Sequence, residues 1–472
     1  MTTDYLAGRQ NVVQGEPAEL NAKLAALAEV FDEAWLKENG SHPLQSLWGR
    51  QDALATNELL NFGHAIELLH LESPDWLKAQ VRLIKTGDAG QSAGAVFEII
   101  ALSLFSRDFC QVIPAPDAMP GFDGTLILKD GARVLVSVKN HGISAREREF
   151  LAEAQAFDVE FQAQLAQQCL RDVEVNVLAR KHLDTSDFHS LKADIAASLA
   201  EIRAGRTNGT LERPYTISVK DMAAQYGPLS AFGTSSCCRI MSPMAKNEQA
   251  NFEEAIRKGC ANLYAHTKEE AADVCRMIIL RLSNAASMDR CKAWATWYFK
   301  EYPQDPVDAI ILYQPAVTTD LARDTSSIVH HVTVITGPRF PQWQRKPDGS
   351  QRRLPNMSFY VGLVSSQQST MLLTDGHASI DLSNYYFYQR ADIFQKVEFT
   401  GTANATLSNP TLGIMVHAVV EQNGVPAMTC RPSSIGKRSW SYCPNWQPSG
   451  SAALAAITPA PQYNPARRRK IC

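Results

Sequence analysis

Apolar positions recur at helical spacing through the first hundred residues. After Pro17, the positions Leu20, Leu24, Leu27, Val30 and Phe31, with Gly40 beyond, predict a helix over residues 17–38. Leu54, Leu59, Leu60, Ile66 and Leu69 predict a second over about 51–71. Ala93–Phe105 is apolar almost throughout and predicts a buried helix that carries one acid, Glu98. The period then shortens. Cys110–Ile113, Thr125–Leu128 and Arg133–Lys139 predict short strands, the last two joined by a Lys129-Asp130-Gly131 turn.

A helical pattern follows from Ser144 to about Cys169, with Ser144 as N-cap and Glu147 at capping-box spacing. Val173–Leu178 alternates like a strand, Ser186–Arg203 reads as helix and Tyr215–Val219 as strand. Helix, three strands, helix, strand, helix, strand predicts an α/β fold, a mixed sheet flanked by helices. Residues 222–247, rich in Gly, Ser and Pro, read as a linker or long loop, and Asn251 to Tyr302 as helix. Beyond Asp308 the pattern is strand-like at Ala309–Tyr313, His331–Thr336, Phe359–Val364, Tyr385–Tyr388, Val397–Thr400 and Leu412–Val420. The tail from Ser449 is Pro- and Ala-rich, ends in Arg467-Arg468-Arg469-Lys470, and reads as disordered. The expected division is a helical segment at 1–85, an α/β core at 86–221, a linker and helical region at 222–305, a β-rich module at 306–448 and a tail at 449–472. No internal repeat is visible.

At 472 residues, with 45% apolar and 20% charged positions, the chain suits two or three globular domains. The net charge of −3 divides into +4 over residues 301–472 and −7 over the rest. A nucleic-acid partner would therefore meet local basic patches and not a global positive field. The start lacks a basic, apolar signal pattern, and Ala93–Phe105 is too short for a membrane span. The ten cysteines form no CxxC pair, and the adjacent Cys237 and Cys238 are poorly placed to bridge. These features set the expectation of a cytoplasmic protein with reduced thiols and no membrane contact.

The chemistry concentrates between Glu98 and Glu153. Asp123 follows Pro120-Gly121 at the start of one predicted strand, and Lys139 ends the next, with Ser137 on the same face as Lys139. Hydrolysing a phosphodiester at neutral pH needs an activated water and neutralisation of developing charge, which one or two Mg²⁺ ions supply. Mg²⁺ takes hard oxygen ligands and keeps several waters, so two carboxylates and a carbonyl suffice. A nearby Lys can orient the water or stabilise the phosphate.

Phe97-Glu98, then Phe122-Asp123-Gly124, then Val136-Ser137-Val138-Lys139 resembles the PD-(D/E)XK, or restriction-endonuclease-like, nuclease superfamily over roughly residues 90–220. The resemblance implies a restriction-endonuclease-like core that uses Mg²⁺ or Mn²⁺ to cut DNA, in a setting of restriction or phage defence. It implies that Asp123 binds the metal and that Lys139 serves the water or phosphate. Ser137 departs from the pattern, which has an acid or Gln there. The second acid would then come from Glu98 on the preceding helix, from Glu153, fourteen residues after Lys139 on the following one, or from both. The alternative is a site decayed at Ser137, leaving a fold that binds nucleic acid or protein.

Other motifs are weaker. Gly90-Gln91-Ser92-Ala93-Gly94 matches the G-x-S-x-G nucleophile elbow, but no apolar strand leads directly into it, so Ser92 reads as a helix N-cap. GxxxxGK[ST] and HExxH are absent, and the paired His330 and His331 would face opposite sides of a strand. Arg339, Arg345, Lys346, Arg352 and Arg353, with Phe340 and Trp343 interleaved, form the segment best suited to contact nucleic acid: cations for phosphates, a ring for a base. The C-terminal module is expected to recognise the target or a protein partner.

Overall fold

A computed structural model describes residues 3–9, 15–38, 42–51, 53–116, 122–171, 173–205, 208–221, 236–265, 274–283, 286–320 and 325–365. Beyond these it describes 369–370, 372–374, 379–381, 385–389, 394–399, 403–409, 414–420 and 426–430. The chain is mixed α/β, with two mixed sheets flanked by helices.

Six helices come first: α1 (Pro17–Phe31), α2 (Glu33–Leu36), α3 (Pro43–Gly49), α4 (Ala53–Glu72), α5 (Pro74–Thr86) and α6 (Ala89–Ser103). The helix expected over 17–38 is broken at Asp32. That residue adopts φ 68°, and its carboxylate accepts from the Ala34 amide to cap α2. α6 starts earlier than its apolar run, because Asp88 and Gln91 close a capping box there.

The first sheet has the order β1-β2-β3-β8-β9-β10-β11. Its strands are β1 (Cys110–Pro114), β2 (Gly124–Leu128), β3 (Arg133–His141), β8 (Val274–Leu282), β9 (Ala309–Asp320), β10 (Thr325–Thr336) and β11 (Leu363–Ser365). β1, β2 and β3 form an antiparallel meander, β8 runs parallel to β3, and β9 runs parallel to β8. Val134, Val136 and Val138 of β3 pack with the N-terminal helices, together with Met277, Ile279 and Ile311. Leu135, Ile278, Leu280 and Ile310 pack the other way, against α9 (Glu248–Ala265) and α10 (Met288–Glu301). The sheet is thus the middle of three layers.

The second sheet has the order β15-β7-β4-β6-β5, from β4 (Val173–Ala179), β5 (Asn208–Glu212), β6 (Tyr215–Asp221), β7 (Cys237–Pro243) and β15 (Tyr385–Gln389). α7 (Ala145–Gln167) and α8 (Thr185–Arg203) bury Phe150, Phe157, Phe161, Phe188 and Leu191 against it. A third, antiparallel sheet joins β12 (Ser369–Thr370), β16 (Phe394–Phe399), β17 (Ala403–Asn409), β18 (Ile414–Val420) and β19 (Pro426–Cys430), and β13 (Leu372–Thr374) pairs antiparallel with β14 (Ser379–Asp381).

Long-range pairing departs from the linear reading. Of residues 86–221, β1–β3 belong to the first sheet and β4–β6 to the second, while β9–β11, read as part of a C-terminal module, complete the first sheet. The helix expected over 251–302 is a correction: it is two helices, α9 and α10, with β8 between them. β8 is buried on both faces, apart from the partly exposed Arg276 and Arg281, so it has no alternation to mark it as a strand. Most of the linker expected at 222–247 and the tail from 449 lie outside the described residues, although β7 occupies 237–243. Among the described residues no helix is long and apolar enough to cross a membrane.

Candidate active site

β3 outruns β2. The two pair from Gly124 opposite Val136 to Ile127 opposite Arg133, so Ser137–His141 continue past the start of β2 with one edge unpaired by any strand among the described residues. Asp123 closes the first part of that edge. Its amide donates to the Val136 carbonyl at 2.8 Å, and its Oδ2 accepts from the Val138 amide in place of a strand carbonyl. Ser137 Oγ lies 3.4 Å from the same oxygen and Lys139 Nζ 3.7 Å from it. Ser137 is fully buried, whereas Asp123 and Lys139 are each 23% exposed, so the pair is held by the protein yet reachable from solvent. Every contact goes to Oδ2, leaving Oδ1 without a protein partner among the described residues.

Glu98 comes from the opposite layer. Asn140 Nδ2 donates to the Ala93 carbonyl of α6 at 3.4 Å. Further along α6, Leu102 packs so tightly on Gly124 that a Cβ there would sit 2.7 Å from Leu102 Cδ2. Glu98 lies between these contacts, four residues before Leu102 and so on the same helical face. Gln80 Nε2 donates to its Oε1 at 3.4 Å, while Gln80 Oε1 is buried without a hydrogen bond. Glu153 stands on α7, the helix that covers the second sheet, and makes no hydrogen bond or ion pair among the described residues.

Next to the site, β3 ends at His141, whose ring meets Phe252 edge-on at 5.4 Å. Burial pushes this imidazole below its usual value. Glu248, at the start of α9 and 8% exposed, accepts from Ser144 Oγ at 2.6 Å and from the Tyr386 hydroxyl. Glu147, in the first turn of α7, is pushed up to about 7 by burial and by the charge of Glu248. Sequence reading missed this group, since Ser144 and Glu248 are 104 positions apart and nothing local links them. It also missed Arg281 of β8, opposite Asn140 in register, which binds Glu58 at 2.7 Å with its guanidinium over Phe97.

Ser92 is neither an elbow nor an N-cap. It is buried inside α6, where Asp88 is the cap, and its Oγ donates to the Ile84 carbonyl at 2.7 Å. The basic segment divides. Phe340 and Trp343, in α11 (Phe340–Gln344), are buried in the core, so the Trp343 ring cannot stack on a base. Arg339 binds Asp308 at 3.2 Å, and Lys346 and Arg352 bind Asp130 at 3.4 and 3.1 Å. Arg345 and Arg353 are exposed.

A carboxylate with one oxygen uncommitted, beside an ammonium at an open strand edge, can hold a hard cation on one side and a phosphate on the other. Among the described residues no group of three or more His, Cys, Asp or Glu side chains could enclose a metal. No family model, curated protein or solved structure matches the chain.

Proposed function

We propose that the chain is a metal-dependent nuclease that hydrolyses phosphodiester bonds in DNA, with a restriction-endonuclease-like core built on the first sheet. The observation that carries this reading is the pairing of Asp123 with Lys139 where β2 and β3 part, with the carboxylate braced by the Val138 amide. A mixed sheet with helices on both faces supports it.

Asp123 would hold Mg²⁺ or Mn²⁺ through Oδ1, with Glu98 as the second acid and water filling the remaining positions. The bound metal would supply Lewis acidity and lower the pKa of a coordinated water. The Val138 amide and Ser137 hydroxyl fix the Asp123 carboxylate, so its free oxygen has one direction. Lys139, 3.7 Å from Asp123, is too far for a tight hydrogen bond, and its N–H donors stay available to a phosphate oxygen. Glu98 is favoured over Glu153 because α6 lies along the end of β3, whereas α7 packs on the other sheet.

One observation favours a second reading. Ser137 occupies the place of an acid and its hydroxyl lies 3.4 Å from Asp123 Oδ2, so a neutral group stands where the second carboxylate would be. That is the geometry of a decayed site kept as a nucleic-acid- or protein-binding module. Supercoiled plasmid, linear duplex, single-stranded DNA and RNA incubated with Mg²⁺, Mn²⁺ or EDTA separate the two. The nuclease reading expects cleavage of DNA that EDTA abolishes; binding indifferent to EDTA, with no cleavage, would replace it with the second.

A further inference from the structure

The turn between β2 and β3, at the other end of the hairpin from Asp123, forms one wall of a cleft of about 470 Å³. Four cations line it, Lys129, Lys346, Arg352 and Arg353, against a single acid, Asp130, which leaves +3. Asp130 is committed: Arg352 Nε is 3.1 Å and Lys346 Nζ 3.4 Å from its Oδ2. Arg352 is also held by the Trp343 carbonyl at 3.0 Å. Lys129 and Arg353 meet no carboxylate among the described residues. Instead Lys129 Nζ sits 6.0 Å from the ring centroid of Phe109, which is 48% exposed at the cleft.

Four cations sharing one acid in a concave wall repel one another and concentrate anions. A bare phosphate would fill a small part of this volume, which falls in the range of small-molecule sites. The exposed ring beside the unpaired cations adds a face on which a base can stack.

We propose that this cleft binds a nucleotide unit, its phosphate between Lys129 and Arg353 and its base against Phe109. The inference does not rest on the nuclease reading, because Asp123 and Lys139 play no part in it. The unit could be a free nucleotide or one residue of a strand, and the chemistry of recognition is the same.

The test is fluorescence anisotropy on the full chain with two probes, N-methylanthraniloyl-ATP and 5′-fluorescein-labelled dT12. Arg353→Glu and Lys129→Glu are each expected to weaken binding at least tenfold, and Phe109→Ala about fivefold. Lys292→Glu, exposed on α10 and outside the cleft, should change it less than twofold. Binding of the ATP probe alone identifies a free nucleotide; tighter binding of dT12 identifies a strand. Binding of neither probe overturns the proposal, as does binding that the three cleft variants leave unchanged. Competition by inorganic phosphate as strong as by AMP, with Phe109→Ala silent, overturns the base half and leaves an anion site. Thermal melting should match wild type because Lys129 and Arg353 make no ion pair among the described residues; should Arg353→Glu melt early, Arg353→Gln replaces it.

Discussion

Replacing Glu147 with Gln should make the protein more stable, and increasingly so as pH rises. Glu147 sits in the first turn of α7, where burial and the charge of Glu248 push its carboxyl from the usual 4.5 up to about 7. Below pH 4.5 the carboxyl is protonated in folded and unfolded chains alike, and it costs nothing. Between 4.5 and 7 the unfolded chain gives up the proton while the folded chain keeps it, so stability falls as pH rises; above 7 the loss levels off. At 1.36 kcal/mol per pKa unit the full penalty is about 3 kcal/mol, of which roughly a quarter is already present at pH 5. Gln carries no charge and keeps an oxygen for the Ser144 amide, so it escapes the penalty. The difference between Glu147→Gln and wild type should therefore widen by about 2–3 kcal/mol from pH 5 to 8.5, or roughly 5–10 °C in Tm for a domain of this size. Scanning fluorimetry of both proteins in matched buffers reads this directly, and comparison at each pH cancels the other titrating groups. A gap that stays constant, or closes as pH rises, would mean that Glu147 is not held protonated by its surroundings.

Three further outcomes follow from the packing. Trp343→Ala should destabilise by about 3–5 kcal/mol, since the ring is 4% exposed in the core; urea unfolding checks it. Arg281→Met should cost up to about 3 kcal/mol by leaving the partly buried Glu58 without its cation, and adding Glu58→Gln should recover most of that, as a double-mutant cycle would show. Glu98→Gln should abolish metal-dependent cleavage while Glu153→Gln leaves most of it, on the same plasmid assay; the reverse would move the second acid to α7.

The β2–β3 hairpin was legible because its signals are local. Leu126 and Val134 face each other on one side, and the turn between them carries Gly131 at φ +83°, a conformation glycine adopts without strain. Asp123 and Lys139 were legible for the same reason: strand alternation and a short turn bring them together. β8 was not. Its continuous apolar run has no period, and its partner β3 lies some 140 residues earlier, so only the folded sheet shows it as a strand. Trp343 misled because an aromatic among arginines looks alike whether it stacks on a base or anchors the segment to the core. The Ser144–Glu248–Tyr386 contacts join three distant segments, and no spacing announces them.

In the proposed nuclease, cleavage of DNA depends on both Asp123 and Lys139. The most direct measurement is cleavage of supercoiled plasmid in Mg²⁺ by wild type beside Asp123→Asn and Lys139→Ala, with melting curves to show that all three are folded. Asn can still accept from the Val138 amide, so Asp123→Asn removes charge and leaves the brace. Wild type is expected to cleave, with activity lost on EDTA addition and reduced by roughly 100-fold or more in each variant. Equal cleavage by all three proteins, or none by folded wild type on any substrate or metal, would contradict the proposal.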